Sequence, residues 1–369
     1  MNNRLSHSAL NKYSQCPKEY ELHYRRNLRP KTTTAALLFG SAIDAAFTTM
    51  LKGGDKKPEE VFAYYWRFQD INGEKTYIPK ALNVVYSNND FDVELLVDDD
   101  YTKIQEELKL ESKAAVLAEI DKVYSEKDTV GFDCLPGTRK YVLNFINWFS
   151  MYRKGLLMIT TLREKVLPNI EKVYSAQSKI ELANQDGDSV IGYIDLVVKW
   201  KGIDKPVVMD LKTSARPYDD DAVKTSQQLA LYVHSIRDQY EHTDKAGFIV
   251  LSKNIRKNKT KKCSVCTKDG TGQRHKTCDA EIEGKRCGGN WIETINPEAD
   301  VQILINDIPE QFENIVLENF DEVNKAIKAE VFPRNLSNCV RPWGKCSFFS
   351  LCHSNKKDDL VTIEPKERE

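Results

Sequence analysis

The sequence predicts an α/β domain: a mixed central sheet flanked by helices, interrupted by a helical insertion and a cysteine-rich one. Three observations carry this. Residues 173–182, 190–200 and 206–211 are short apolar runs rich in β-branched residues, separated by Asn184-Gln185-Asp186-Gly187-Asp188 and by Lys201-Gly202-Ile203-Asp204, both of turn composition. A helix-patterned stretch follows, capped by Asp219 or Asp220 and running to about Tyr240, and then another apolar strand, Ala246 to Leu251. Hairpin-joined strands followed by a helix and a further strand require a crossover, and hence a mixed sheet.

The remaining elements fall around this core. Residues 5–26 read as a helix, with Leu10, Tyr13, Tyr20 and Tyr24 at helical spacing, Ser6 or Ser8 as cap, and Pro17 marking a break after Cys16. A second helix covers Ala36 to Met50. Residues 55–165 are charged and mostly helical: one long amphipathic helix over 101–127, a loop from Gly131 to Gly137, and an aromatic-rich helix over 139–164. That region carries no recognisable chemistry and reads as an insertion that shapes a groove or binds a partner. Residues 253–291 are polar and cysteine-bearing, residues 297–329 return to a helical pattern, and the tail after Ser354 is charged. The expected divisions are 1–50, the helical insertion 51–165, the core 166–255, the cysteine insertion 256–295 and the C-terminal segment 296–369.

The 369 residues carry a net charge of −1, with 41% hydrophobic and 30% charged residues, the balance of a water-soluble domain. No run of about eighteen apolar residues and no secretory leader are visible, so the expectation is a cytoplasmic protein, bacterial or in a phage-infected cell, with no membrane partner. Near-zero charge excludes binding nucleic acid through overall charge, so any such binding needs a local basic track. Arg256, Lys257, Lys259, Lys261 and Lys262 form one basic run, readable as a solvated loop or as phosphate contacts. In a reducing compartment the nine cysteines point to metal rather than disulfides. Cys134 stands apart and reads as a small, partly buried side chain.

Two strands carry the chemistry. Gly192-Tyr193-Ile194-Asp195-Leu196-Val197-Val198 and Val207-Val208-Met209-Asp210-Leu211-Lys212-Thr213 are apolar runs, each interrupted by one carboxylate. An unpaired charge in a buried strand costs several kcal/mol. Two on neighbouring strands make an oxygen-ligand site of the kind that Mg²⁺ or Mn²⁺ takes. Lys212, two residues beyond Asp210, points to the same side of its strand, where it can hold a water or offset charge on a phosphate. The plainer reading is a buried Asp–Lys pair. Glu181, ending the first strand, reads as a solvent-facing edge residue.

These residues resemble the motifs of the PD-(D/E)XK nuclease superfamily, in its RecB-like branch. By that resemblance Asp195 is the first metal-binding aspartate, and Asp210 and Lys212 are the acidic-x-Lys pair. Gln228 and Tyr232, a helical turn apart, match the branch's Gln-x-x-x-Tyr motif, which touches DNA or supports the lysine. The branch's early Gly-x-x-x-His appears here as Gly40-Ser41-Ala42-Ile43-Asp44, so Asp44 stands where a metal-binding histidine is expected.

The cysteines form two sets of four. Cys16, in Tyr13-x-x-Cys16-Pro17-x-x-Tyr20, and Cys339, Cys346 and Cys352 resemble the split set of iron–sulfur RecB-like nucleases, the AddB-type and CRISPR-associated four-cysteine exonucleases. That resemblance implies a [4Fe–4S] cluster stapling the two segments, although four thiolates also suit Zn²⁺. Cys263, Cys266, Cys278 and Cys287, with Gly288 and Gly289, resemble a Zn²⁺ ribbon whose second pair is unusually far apart; His275 is an alternative to Cys278. Together the resemblances imply a metal-dependent DNA nuclease, an exonuclease acting on ends or single strands in recombination, repair or phage DNA processing, with a recombination, helicase or single-strand-binding partner. The alternatives are a catalytically silent DNA-binding or assembly module, and an RNA nuclease.

Overall fold

The computed structural model describes residues 4–69, 75–76, 84–86, 90, 92–125, 139–184, 186–240, 242–271, 276–341 and 344–363. Cys134, His275 and the expected loop at 131–137 lie outside the described residues. The sheet is built from β1 (Arg4–Ser6), β2 (Ile170–Ala183), β3 (Ser189–Trp200), β4 (Pro206–Ser214), β5 (Lys245–Ser252) and β10 (Val301–Asp307). It is mixed. β2, β3 and β4 are joined antiparallel, β4 pairs parallel with β5, β5 antiparallel with β10, and β1 parallel with β3. The crossover between β4 and β5 contains α7 (Gln227–Ile236), as a parallel pair demands.

β3 organises the sheet. One of its edges is taken along its length by β2, from Ala183↔Ser189 to Ile170↔Trp200. The other edge is divided, with β1 pairing at Ser189–Ile191 and β4 only at Leu196–Lys199. The intervening residues, 192–195, form a fork where β4 peels away. The layering changes there too. Val190 and Ile194 join the apolar layer that includes Leu229, Tyr232 and Phe320, whereas Leu196, Val198 and Trp200 join the layer that includes Phe39, Phe62 and Phe145. Opposite the fork, Gln177 of β2 has φ +56°, a left-handed conformation costing a non-glycine residue roughly 1–2 kcal/mol.

Helices cover both faces. α1 (His7–Gln15), α7 and α8 (Glu310–Lys328) pack on one. α2 (Ala35–Lys52), α3 (Pro58–Tyr65), α4 (Asp98–Leu108), α5 (Lys113–Ser125) and α6 (Arg139–Thr161) build the other. By length and mean composition alone α2 could cross a membrane. Its inward side, Phe39, Ala42, Ile43, Ala46 and Phe47, is buried in the protein core, which explains that composition.

Several expected elements are corrected. In the helical stretch over 5–26 the Ser6 cap, accepting from Ala9 N–H at 3.1 Å, and the new turn at Pro17 are as expected, but residues 4–6 are a strand. The helix over 101–127 is two, because Lys109 at φ +55° closes α4 in the left-handed region. α7 is capped by Ser226, which accepts from Leu229 N–H at 3.2 Å, rather than by Asp219 or Asp220. The basic run is not a loop but β6 (Arg256–Cys263), paired with β9 (Trp291–Glu298). The start of 297–329 is strand, with β10 pairing along β5 before α8 begins at Glu310.

Candidate active site

The fork gathers groups from both layers. Asp195 lies on β3 where β4 departs, and its Oδ2 accepts from the Leu211 N–H at 2.9 Å. A side chain thus replaces the backbone ladder that the parting strands lose. Asp210 and Lys212 lie on the departing strand. Asp210 is 1% exposed, and the Lys212 ammonium sits 2.6 Å from its Oδ2. That contact is an ion pair between a buried carboxylate and a partly exposed ammonium. Asp44 arrives from α2 in the opposite layer and is gripped by Gln177, whose Nε2 donates to both carboxylate oxygens at 3.0 and 3.1 Å.

The three carboxylates are close enough to oppose each other's ionisation. Burial and then Asp210 raise Asp44 to about 6. Burial, Asp210 and Asp44 raise Asp195 to about 7 against the Leu211 N–H and Lys212. Burial raises Asp210 as well, against the pull of Lys212. Burial alone would discharge Lys212, but Asp210 and Asp195 outweigh it and hold its pKa above the ordinary lysine value. Three crowded carboxylates facing one ammonium make a donor set that a hard divalent cation satisfies. Their oxygens do not close to within 4.8 Å of one another; among the described residues only Cys263, Cys266, Cys278 and Cys287 gather that tightly.

Behind the lysine runs a relay. Gln228 Oε1 lies 3.4 Å from Lys212 Nζ, and Gln228 Nε2 donates to the Tyr232 hydroxyl at 2.8 Å. Burial pushes Tyr232 up to about 12, so it stays neutral. Gly192 makes room for it, since a Cβ there would lie 2.9 Å from the Tyr232 ring. The expected residues Asp44, Asp195, Asp210, Lys212, Gln228 and Tyr232 are therefore neighbours. Glu181 is elsewhere, paired with Arg4 at 2.9 Å.

Two residues escaped the sequence reading. Gln177 carried no motif, and only its strained backbone and its hold on Asp44 mark it. His7 opens α1 directly after β1, whose last pair, Ser6↔Ile191, adjoins the fork. Burial first, then the Lys212 charge, lower it to about 4. A neutral imidazole thus stands beside the lysine.

The ribbon cysteines meet at the end of the β6–β9 hairpin. Cys263 and Cys287 Sγ are 3.5 Å apart, as are those of Cys266 and Cys278. Tetrahedral zinc places thiolates about 3.8 Å apart, from its Zn–S distance. Backbone N–H groups of Val265 and Ala280 point at Cys263 and Cys278 Sγ, at 3.4 and 3.5 Å. The backbone N–H of Cys266 leads in lowering Cys263 to about 6, while burial raises Cys278 to about 12. A Cβ on Gly289 would fall 2.5 Å from Cys263 Sγ, so only glycine fits. Between Cys278 and Cys287 a small hairpin, β7 (Glu281–Ile282) and β8 (Lys285–Arg286), takes up the extra residues, and Cys278 N–H donates to Gly289 O at 2.8 Å across its base.

The split set also converges. Cys16, Cys339, Cys346 and Cys352 line one small cavity with Phe348 and Phe349. They stand wider apart than the ribbon set. Asn335 and Asn338 side-chain amides donate to Gln15 O at 2.9 and 2.7 Å, tying the two segments together. Burial raises Cys346 to about 11. In the basic strand, Lys257 lies 2.8 Å from Asp92, Lys259 3.0 Å and Lys261 3.7 Å from Glu293, and Arg256 pairs with Asp300. Lys262 has no carboxylate partner among the described residues.

No curated protein matches the chain. A solved structure of a putative exonuclease from Eubacterium rectale is similar at 10% identity, with a TM-score of 0.41, over 99% of this chain and 91% of that one; likeness at that level bears on neither activity nor substrate. The sequence model of the PD-(D/E)XK nuclease superfamily matches residues 4–353. With a mixed sheet whose forked strands carry Asp195 and the Asp210–Lys212 pair, the chain belongs to the PD-(D/E)XK nuclease superfamily.

Proposed function

We propose that this protein is a divalent-metal-dependent DNA nuclease, acting from DNA ends. The observation that carries the reading is the crowding of Asp44, Asp195 and Asp210 around Lys212 at the strand fork. Those carboxylates would hold Mg²⁺ or Mn²⁺, which supplies Lewis-acid charge to phosphate oxygens and eases deprotonation of water. Lys212 orients the attacking water and offsets charge growing on the phosphoryl oxygens. Gln228, braced by Tyr232, fixes the lysine's position. Gln177 fixes Asp44, which stands in for a nitrogen ligand with an oxygen and so favours a hard cation. His7, neutral beside Lys212, can donate to a phosphate oxygen without adding charge repulsion.

The ribbon set is assigned Zn²⁺, because its sulfur spacing matches one tetrahedral ion. The split set is assigned a [4Fe–4S] cluster, because its four cysteines line one cavity and resemble the split set of iron–sulfur RecB-like nucleases. The β6 cations Arg256, Lys257, Lys259, Lys261 and Lys262 remain a phosphate track, weakened by their carboxylate partners. By the RecB-like resemblance, an enzyme acting on DNA ends would serve recombination, repair or phage DNA processing, alongside a helicase or single-strand-binding partner.

The test offers linear duplex, covalently closed circular DNA, single-stranded DNA and matched RNA with Mg²⁺ or Mn²⁺. The expected result is loss of linear or single-stranded DNA with the closed circle and RNA intact. Cleavage of the closed circle refutes end-dependence, and preferential loss of RNA refutes the substrate.

A further inference from the structure

A groove of about 1070 Å³ opens from Asp44 and Gln177 and follows the C-terminal half of α2 to α3. α3 is anchored by Phe62, which is fully buried and stacks on Tyr152 with centroids 5.8 Å apart. That packing leaves Tyr64 and Tyr65 on the groove side, exposed to 51% and 50%. Their rings meet edge to face at 5.3 Å, and the Arg67 guanidinium lies over Tyr64 at 5.9 Å. Lys52 and Lys56 stand on the rim, and neither pairs with a carboxylate among the described residues. Of the rim acids, Glu60 is approached by Lys57 at 3.9 Å, and Asp55 is the other.

We propose that this groove is a single-strand binding track: the bases of the DNA strand entering the active site stack on Tyr64 and Tyr65, and its phosphates pass Lys52 and Lys56 towards Asp44. The proposal rests on the nuclease reading and adds the strand form that reaches the site. Two half-exposed tyrosines on the groove wall, with Lys52 and Lys56 on its rim, form the stacking platform and charged rim that single-stranded nucleic acid requires. In a duplex the base faces already stack on one another, so reaching an aromatic ring costs unstacking. A single strand offers those faces freely. The groove also ends at Asp44 and the Gln177 that grips it, which selects the substrate strand over an unrelated partner.

The test measures anisotropy of labelled oligothymidylate and of a duplex of equal length, using full-length protein carrying Lys212→Ala so that nothing is cut. Adding Tyr64→Ala and Tyr65→Ala is expected to weaken oligothymidylate binding about tenfold or more, with duplex binding unchanged and Tyr64→Phe with Tyr65→Phe restoring affinity. Lys52→Glu with Lys56→Glu is expected to weaken binding and flatten its salt dependence. Unchanged oligothymidylate affinity in both sets, or equal losses on duplex, overturns the proposal and leaves the tyrosines to a protein partner. Cleavage by the Lys212-intact protein is read separately. If it cuts nothing while binding still depends on the tyrosines, the nuclease reading fails and the groove stands.

Discussion

At the scale of single residues, the site is held in a charge arrangement that costs the empty protein stability. Asp195 is raised by burial, Asp210 and Asp44, so its ionised form is disfavoured without a cation. Asp195→Asn keeps an oxygen for the Leu211 N–H and removes that repulsion. Without divalent metal it should raise Tm by about 2 °C, the shift that about 1 kcal/mol produces, while cleavage is lost; thermal melts in chelator test the first part, and a lower Tm would contradict it. Such trades of stability for function mark active sites. Tyr232→Phe leaves Gln228 Nε2 without its acceptor and frees Gln228 to swing from Lys212. A fall in kcat of about tenfold with little change in KM is expected from steady-state kinetics. An equal rise in KM would indicate that Tyr232 binds substrate instead. Asp195, Asp210 and Lys212 were legible in sequence because charges interrupt apolar strands there, whereas Gln228 and Tyr232 look like an ordinary amphipathic helix and stood out only through the resemblance to a Gln-x-x-x-Tyr motif. Gln177 and His7 were not legible. Gln177 depends on a left-handed backbone that sequence does not display, and His7 on a parallel pairing across more than 180 positions.

At the scale of elements, β2 to β5 and α7 were readable because apolar runs and turn residues set them locally. Two of the failures share a cause: partners distant in the chain decided the outcome. β10 looks helical until β5 offers it an edge, and the basic run becomes β6 because β9 pairs with it and supplies Glu293 to Lys259 and Lys261. The ribbon's wide second pair looked irregular in sequence, yet the β7–β8 hairpin simply loops out the excess. Its chemistry is tightly specified at Gly289. Gly289→Ala drives a methyl into Cys263 Sγ and should lower zinc content from one ion per chain towards none, measured by elemental analysis. Full zinc retention would contradict the assignment of that site.

At the scale of the molecule, one division of labour emerges. The sheet carries Asp195 and Asp210, α2 adds Asp44, the helical insertion adds the groove wall, and the N- and C-terminal cysteine segments are tied together at Gln15. Because Cys16 is separated from Cys339 by most of the chain, a cluster there closes a very long loop. Anaerobically purified protein should be brown, absorb near about 400 nm and contain iron, and Cys346→Ala should remove the colour and lower Tm. A colourless protein with two zinc ions per chain would contradict the cluster. The central claim concerns the fork itself. Its most direct measurement is Mn²⁺-dependent cleavage of end-labelled DNA by the wild-type protein and by Lys212→Ala, both checked for equal folding by circular dichroism. The account predicts cleavage that chelator abolishes and that Lys212→Ala reduces by about 10²-fold or more. Equal residual activity in the two proteins would contradict it.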